Sequence, residues 1–255
     1  MRDLILEVKA TRRVAFFFIR RNEVRWHSLL EVDVRMKIYS QASSRWRCLE
    51  METNYRVAYD KYWQDLKKKV PEEIATQLAV TYYSDIRQFI VLFFNSEYIL
   101  DCNTETIYRK VDGHIPEITA SIIILNYLVY ARPPQETPKK WVSLKEIPNG
   151  GMLFYPAFHK NSIVGLIKTF GQQSKQLLTS AATLGGNPAS FGDASAIFRA
   201  FPETSLCVIV WEGDEDVQAN ATILFEPSIE NQLHIESVIG LGMYLASQLK
   251  RGATA

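Results

Sequence analysis

The sequence predicts an α+β fold, antiparallel sheet or sheets with packed helices, and three observations carry that prediction. Tyr55, Tyr59, Tyr62, Trp63 and Leu66 recur at three- and four-residue spacing, the period of a helix that buries one face. Between Val80 and Arg109, short runs rich in β-formers alternate with turn dipeptides, as in an antiparallel meander. Leu206-Cys207-Val208-Ile209-Val210-Trp211 is an almost wholly apolar run of strand length, which places it centrally in its sheet.

Composition narrows the class further. A chain of 255 residues can bury a substantial core without staples. Cys48, Cys102 and Cys207 stand alone, with no C-x-x-C pair, which argues against a disulfide framework and against a self-contained zinc or iron–sulfur site. No metal site is therefore expected, and a reducing cytoplasmic location is. The net charge of +1 conceals an asymmetry: residues 1–50 carry net +5 and the remainder net −4.

The first fifty residues admit three readings. Their arginines could neutralise nucleic-acid phosphate. A targeting peptide is a poor fit, because the apolar run Val14–Ile19 stops at six residues before Arg20-Arg21. The favoured expectation is a basic N-terminal extension, either from a misassigned start upstream of Met51 or as added strands, with strand-like runs at Arg13–Ile19 and Glu31–Tyr39. Nucleic-acid binding is not expected, and residues 51–255 are read as a single α+β domain.

From Met51 onward the elements follow in order. Thr53 or Asn54 caps a helix to about Lys69, where Lys67-Lys68-Lys69 suits the negative pole of the dipole, and Pro71 starts a short helix through Leu78. Strands are expected at Val80–Tyr83, Arg87–Phe94, Glu97–Asp101 and Thr106–Arg109, with Cys102 at a strand end. Ile115–Ala131 reads as a buried central helix, too short and too polar for a membrane span. The proline-rich stretch 132–140 reads as an exposed connector between two lobes.

The stretch Pro148–Lys160 combines a Gly150-Gly151 hinge, the aromatics Phe154, Tyr155 and Phe158, Pro156 and His159. The expectation is an extended aromatic piece entering a helix from about His159 to Phe170, whose free N–H groups would attract an anion. The alternative is that the aromatics close a core and His159 lies on the surface. A helix from about Gln173 to Leu184 follows, ended by Gly185-Gly186-Asn187-Pro188; the glycines at 186 and 192 lack the Gly-Lys-Ser/Thr ending of a phosphate loop.

Ala194–Phe201, Ser205–Trp211 and Ala221–Phe225 read as strands, and Ile235–Arg251 as a closing amphipathic helix. Glu212-Gly213-Asp214-Glu215-Asp216 lacks the alternation of a calcium loop, so a solvated loop is expected over a metal site. The Gly192-Asp193 turn and the Trp211–Asp216 strand end are candidates for a wall facing Pro148–Lys160.

Several separated motifs, Asn54–Tyr59, Trp141–Pro148, Phe154–Phe158 and Trp211–Glu215, together resemble the domain-of-unknown-function family numbered 3786. The resemblance spans roughly Glu52 to Leu249. It implies an origin in anaerobic bacteria or archaea. Some members carry a four-cysteine iron–sulfur domain of the kind found in corrinoid proteins of one-carbon metabolism, which this chain lacks. It implies no catalytic residues and no assigned cofactor.

The function expected from the sequence is that of a cytosolic binding or accessory protein rather than an enzyme. Its candidate ligand-binding residues are Gly150, Gly151, Phe154, Tyr155, Phe158, His159, Asp193, Trp211, Glu212 and Asp214, with a small aromatic or tetrapyrrole-type ligand or a one-carbon role. One alternative is an enzyme pairing His159 with Asp193, Asp214 or Glu215 as acid and base. The other is a protein-interaction module built on the helices and the acidic loop. Partners are thus a small molecule or a protein, without a membrane.

Overall fold

The computed structural model describes residues 6–10, 13–17, 19–20, 23–24, 54–133 and 140–254. The chain divides into two compact units, Met1–Glu52 and Thr53–Ala255. In the first, β1 (Leu6–Ala10) pairs antiparallel with β2 (Arg13–Phe17), and β3 (Ile19–Arg20) with β4 (Glu23–Val24). The strand expected at Glu31–Tyr39 lies outside the described residues.

The second unit opens with helix α1 over 54–67. Its periodic stripe buries Trp63 and Leu66, and Tyr59 and Tyr62 pack against the same core. Its last turn tightens through Lys68 N–H to the Asp65 carbonyl and Lys69 N–H to the Leu66 carbonyl. Pro71 then begins α2 (Pro71–Leu78), where its missing N–H costs no helical bond.

The expected meander follows as β5 (Thr81–Tyr83), β6 (Gln88–Phe93), β7 (Ser96–Asp101) and β8 (Thr106–Arg109), each antiparallel to the next. Alternation along β6 sends Phe89, Val91 and Phe93 to the core face. The four-residue turns joining β5 to β6 and β7 to β8 sit at the same end of the sheet. Each closes on a left-handed residue that is not glycine, Arg87 at φ 55° and Glu105 at φ 54°.

Helix α3 (Ile118–Tyr130) is buried without a break from Ala120 to Leu128, which explains why its apolar residues show no stripe. Its one amide, Asn126, accepts a 3.0 Å hydrogen bond from the His234 N–H.

The larger sheet runs β10-β11-β12-β13-β9, antiparallel throughout, and contains β9 (Val142–Ser143), β10 (Asn187–Ala189), β11 (Ala194–Phe201), β12 (Thr204–Trp211) and β13 (Asn220–Phe225). The apolar β12 is central, as expected. β10 was not expected from the sequence; its Pro188 is tolerated because the strand lies at the sheet edge.

Around this sheet pack α5 (Val164–Phe170), α6 (Gln176–Thr183), the short α7 (Ile229–Gln232) and the long α8 (Ile235–Thr254). The two sheets share one core. Phe94 N–H in the β6–β7 turn donates to the Ala200 carbonyl of β11 at 2.9 Å, Phe93 packs on Phe201 at 5.1 Å, and Tyr127 stacks on Phe201 at 4.0 Å. This corrects the expected division into lobes at 132–140, since residues 53–255 cohere through contacts that bypass the connector. Residues 134–139 of that connector lie outside the described residues. Among the described residues no helix is long and apolar enough to cross a membrane.

Candidate functional site

The stretch from Pro148 to Lys160 is helical earlier than its sequence suggests. Instead of an extended aromatic piece, Gly151–Phe158 forms α4, which passes through a π-helical turn at His159–Ile163 directly into α5. Pro156, which lacks an N–H for the helical ladder, sits inside α4 all the same, and the π turn follows it. The N–H of His159 is already bonded to carbonyls of Tyr155 and Pro156, so no free helix start meets an anion there.

The two glycines are packing and turn positions. Gly150 has φ 126°, closed to other residues, and a Cβ on Gly151 would stand 1.9 Å from the Leu144 carbonyl oxygen. That approach seats α4 on the 3-10 turn Leu144–Glu146, where Glu146 accepts from the Ser143 N–H at 2.8 Å as the capping box requires.

The aromatics separate into different roles. Phe158, 1% exposed, packs on Phe225 and lies so close to Gly242 that a Cβ there would meet its ring at 2.7 Å. Tyr155 carries the Lys145 ammonium 4.3 Å from its ring centroid and lies 5.9 Å from the half-buried His159 ring. Phe154 is exposed, together with Met152 (65%) and Leu153 (76%).

The carboxylates at the end of β12 are engaged in building their own loop. Asp193 Oδ2 accepts from Glu212 N–H at 2.7 Å, Glu212 Oε1 from Ser174 N–H at 2.6 Å, and Asp214 Oδ1 from the N–H groups of Asp216 and Val217. Hydrogen bonds from Ser174 hold Glu212 below the usual carboxylate range, and the Val217 and Asp216 amides do the same for Asp214. Trp211, partly exposed, closes over the Gly192 turn, where a Cβ would meet its Cε2 at 3.2 Å. No group of three or more His, Cys, Asp or Glu suited to a metal ion occurs among the described residues.

These two regions do not face each other. Phe225, the partner of Phe158, pairs with Leu206 at one end of the β12–β13 ladder, whereas Trp211 pairs with Asn220 at the other. The continuous helix from His159 to Gly171 spans ~18 Å at 1.5 Å per residue, and Gly213 N–H donates to the Gly171 carbonyl at its far end. His159 is thus held well away from Asp193, Glu212 and Asp214.

A different set of residues does converge. Between α1, α2 and the meander lies a cavity of about 180 Å³ lined by Trp63, Leu66, Lys67, Lys69, Pro71, Tyr82, Arg87, Phe89 and Cys102. Tyr82 and Phe89 face each other across the β5–β6 ladder with ring centroids 4.6 Å apart. Cys102 N–H donates to the Arg87 carbonyl at 3.0 Å and Asn103 Nδ2 to the Ile86 carbonyl at 2.9 Å, which ties the two turns at this end of the meander together. Asp101 fixes the second turn by accepting from Asn103 N–H at 2.8 Å and from Gln88 Nε2 at 2.9 Å.

The charged lining of this cavity is cationic: Lys67, Lys69 and Arg87, without a carboxylate. Burial raises the Cys102 thiol above its usual value, and the opposing effect of Arg87 is smaller, so it is a neutral wall rather than a thiolate. Tyr82 is raised as well, chiefly by burial, and stays a neutral hydroxyl. Lys67 forms an ion pair with Glu105, whose carbonyl also accepts from Tyr59 Oη at 2.9 Å. Lys69 and Arg87 have no ion-pair partner among the described residues. The sequence pointed to Lys67-Lys68-Lys69 only as a dipole complement, and to Cys102 only as a strand end. The signal that would have joined them is the meander register, which brings residues 82, 87, 89 and 102 to one end of one sheet.

A family model described as Domain of unknown function (DUF3786) matches residues 70–248, a span that holds both sheets of the second unit and the part of the cavity from Pro71 to Cys102. No curated protein and no solved structure matches. With most of its length inside that match, the chain belongs to the DUF3786 family.

Proposed function

We propose that this protein is a cytoplasmic binding or accessory protein whose ligand is a small anion held in the cavity between α1 and the meander. The observation that carries this reading is a concave site with three cationic side chains, no carboxylate and an aromatic and aliphatic wall. Arg87 offers a planar fork of donors for carboxylate or phosphate and Lys69 supplies a point charge, while Lys67 stands beside them in its ion pair with Glu105. The half-buried, protonated Cys102 and the buried Cys207 support a reducing setting, because neither is paired. At about 180 Å³ the cavity is scaled to a small ligand rather than to a tetrapyrrole. The aromatics around His159 do not favour one either, with Phe158 in the core, Tyr155 under Lys145 and Trp211 at the other end of the ladder.

The test is thermal unfolding of the full chain with millimolar phenyl phosphate, phenyl sulfate and benzoate. The reading expects at least one of these anions to raise Tm in the wild type and to lose that effect in Arg87→Gly. A Tm unmoved by all three, or moved equally in both proteins, contradicts it.

A second reading, docking of a protein partner, is favoured by the uncovered Met152, Leu153 and Phe154 on α4. A photo-crosslinking residue at position 153 in native cells would then yield one defined adduct. A diffuse background of adducts speaks against it.

A further inference from the structure

Resting on the anion-binding reading of the cavity, we infer that its ligand is a small phosphate monoester, a compact dianion with a short apolar group. Charge balance is the first argument. Of the three cations in the lining, Lys67 is already neutralised by Glu105, while Lys69 and Arg87 lack an ion-pair partner among the described residues. Both are exposed and hydrated, so they are available to a ligand, and a dianion matches both. A monoanion leaves one cation unmatched.

The second argument is the distribution of donors and apolar surface. Arg87 rises from the end of one hairpin turn and Lys69 from the link between α1 and α2, so their charges approach from two elements. A phosphate group presents several acceptor oxygens around one centre, which lets a guanidinium fork and an ammonium engage it together. The rest of the wall is Leu66, Pro71, Phe89, the half-buried Cys102, the ring of Tyr82 and Trp63, whose buried indole N–H has no partner among the described residues. That surface suits a ring or short aliphatic group and offers no cation away from Lys67, Lys69 and Arg87, which disfavours a dicarboxylate with charges at both ends.

The third argument is rigidity. Arg87 holds a left-handed backbone at φ 55° although it is not glycine, and its carbonyl is pinned by the Cys102 N–H. The left-handed position is the one that closes this hairpin turn, as Glu105 closes the next, so the turn fixes where the Arg87 side chain leaves the rim of the cavity.

Calorimetric titration of the full chain with phenyl phosphate, its monoanionic isostere phenyl sulfate, and succinate tests the inference. At pH 7.5 phenyl phosphate should bind at least ten-fold tighter than either. At pH 5, where a phosphate monoester with a second pKa near 6 is mostly monoanionic, its advantage over phenyl sulfate should shrink to roughly two-fold. Tyr82 and Cys102 are both shifted by burial further above this pH range; the carboxylates that act on the site, Glu105, Glu72 beside Tyr82 and Asp101 beside Cys102, are read separately by repeating the titration in Glu105→Gln, Glu72→Gln and Asp101→Asn. Equal binding of phenyl phosphate and phenyl sulfate at pH 7.5, or succinate binding as tightly, overturns the phosphate assignment and leaves anion binding standing. Absence of Arg87-dependent binding by any of the three removes both.

Discussion

Lys67, in the last turn of α1, forms an ion pair with Glu105 at the end of the β7–β8 turn, and this contact joins the helix to the rim of the cationic cavity. Both side chains are about half exposed, so the pair contributes at most about 1 kcal/mol to stability. Glu105→Gln should therefore leave the urea midpoint nearly unchanged. It should tighten phenyl phosphate roughly three-fold, because Lys67 is released to the ligand. Calorimetry on the variant checks this, and weaker binding would show that Glu105 positions Lys67 rather than competing for it.

Arg87→Gly separates binding from folding. Glycine adopts φ 55° without the cost that an L side chain carries there, so the variant should match the wild type or exceed it by about 1 kcal/mol in chemical unfolding. Removal of a charged donor should weaken anion binding by at least ten-fold. A variant that unfolds more easily would mean that the Arg87 side chain holds the turn together.

Gly151→Ala and His159→Ala distinguish a packing role from a ligand role for the stretch that the sequence singles out. A Cβ at 151 would collide with the Leu144 carbonyl, a backbone atom that cannot swing away, and the variant should lose about 2–3 kcal/mol. His159, half-buried and with no side-chain hydrogen bond among the described residues, should tolerate alanine to within about 1 kcal/mol and leave phenyl phosphate affinity unchanged. Denaturant curves of both variants, with titrations of the second, provide the comparison.

The loop carboxylates predict a pH dependence of known sign. Glu212 is depressed below its ordinary value of 4.5 by the Ser174 hydrogen bonds. The unfolded chain therefore binds a proton more readily than the folded one in the window below pH 4.5. The contribution of Glu212 is complete above that window and is lost as pH falls through the depressed folded value. Urea midpoints between pH 7 and pH 3 should fall less steeply in Glu212→Gln than in the wild type. Parallel curves would show that the Glu212 to Ser174 contact has no bearing on acid stability.

Much of the fold was legible in the sequence, because local chemistry and tertiary demand agree in most elements. The stripe through Tyr59, Trp63 and Leu66, the turn-punctuated runs of the meander, and the apolar β12 each follow from their own residues. Where the reading departed from the structure, the deciding contact was distant in sequence. Pro156 signals a helix break, but Phe158 packs on the distant Phe225 and Gly151 on Leu144, contacts that α4 makes as a helix. The connector at 132–140 looks like a boundary, but Phe93, Tyr127 and Phe201 fuse what lies on either side.

The site was less legible for the same reason. Aromatic, glycine and histidine residues clustered along the chain at 150–159 are divided in space between core, turn and surface. Lys69, Arg87 and Cys102 are scattered along the chain and meet only when the hairpins close.

Whether the cavity beside Arg87 holds an anion is decided by a crystal structure of the full chain grown with phenyl phosphate. Phosphate density is expected within hydrogen-bond distance of the Arg87 guanidinium and the Lys69 ammonium, with the phenyl ring against Tyr82 and Phe89. An empty cavity at saturating ligand, or phenyl phosphate bound only elsewhere on the molecule, would contradict it.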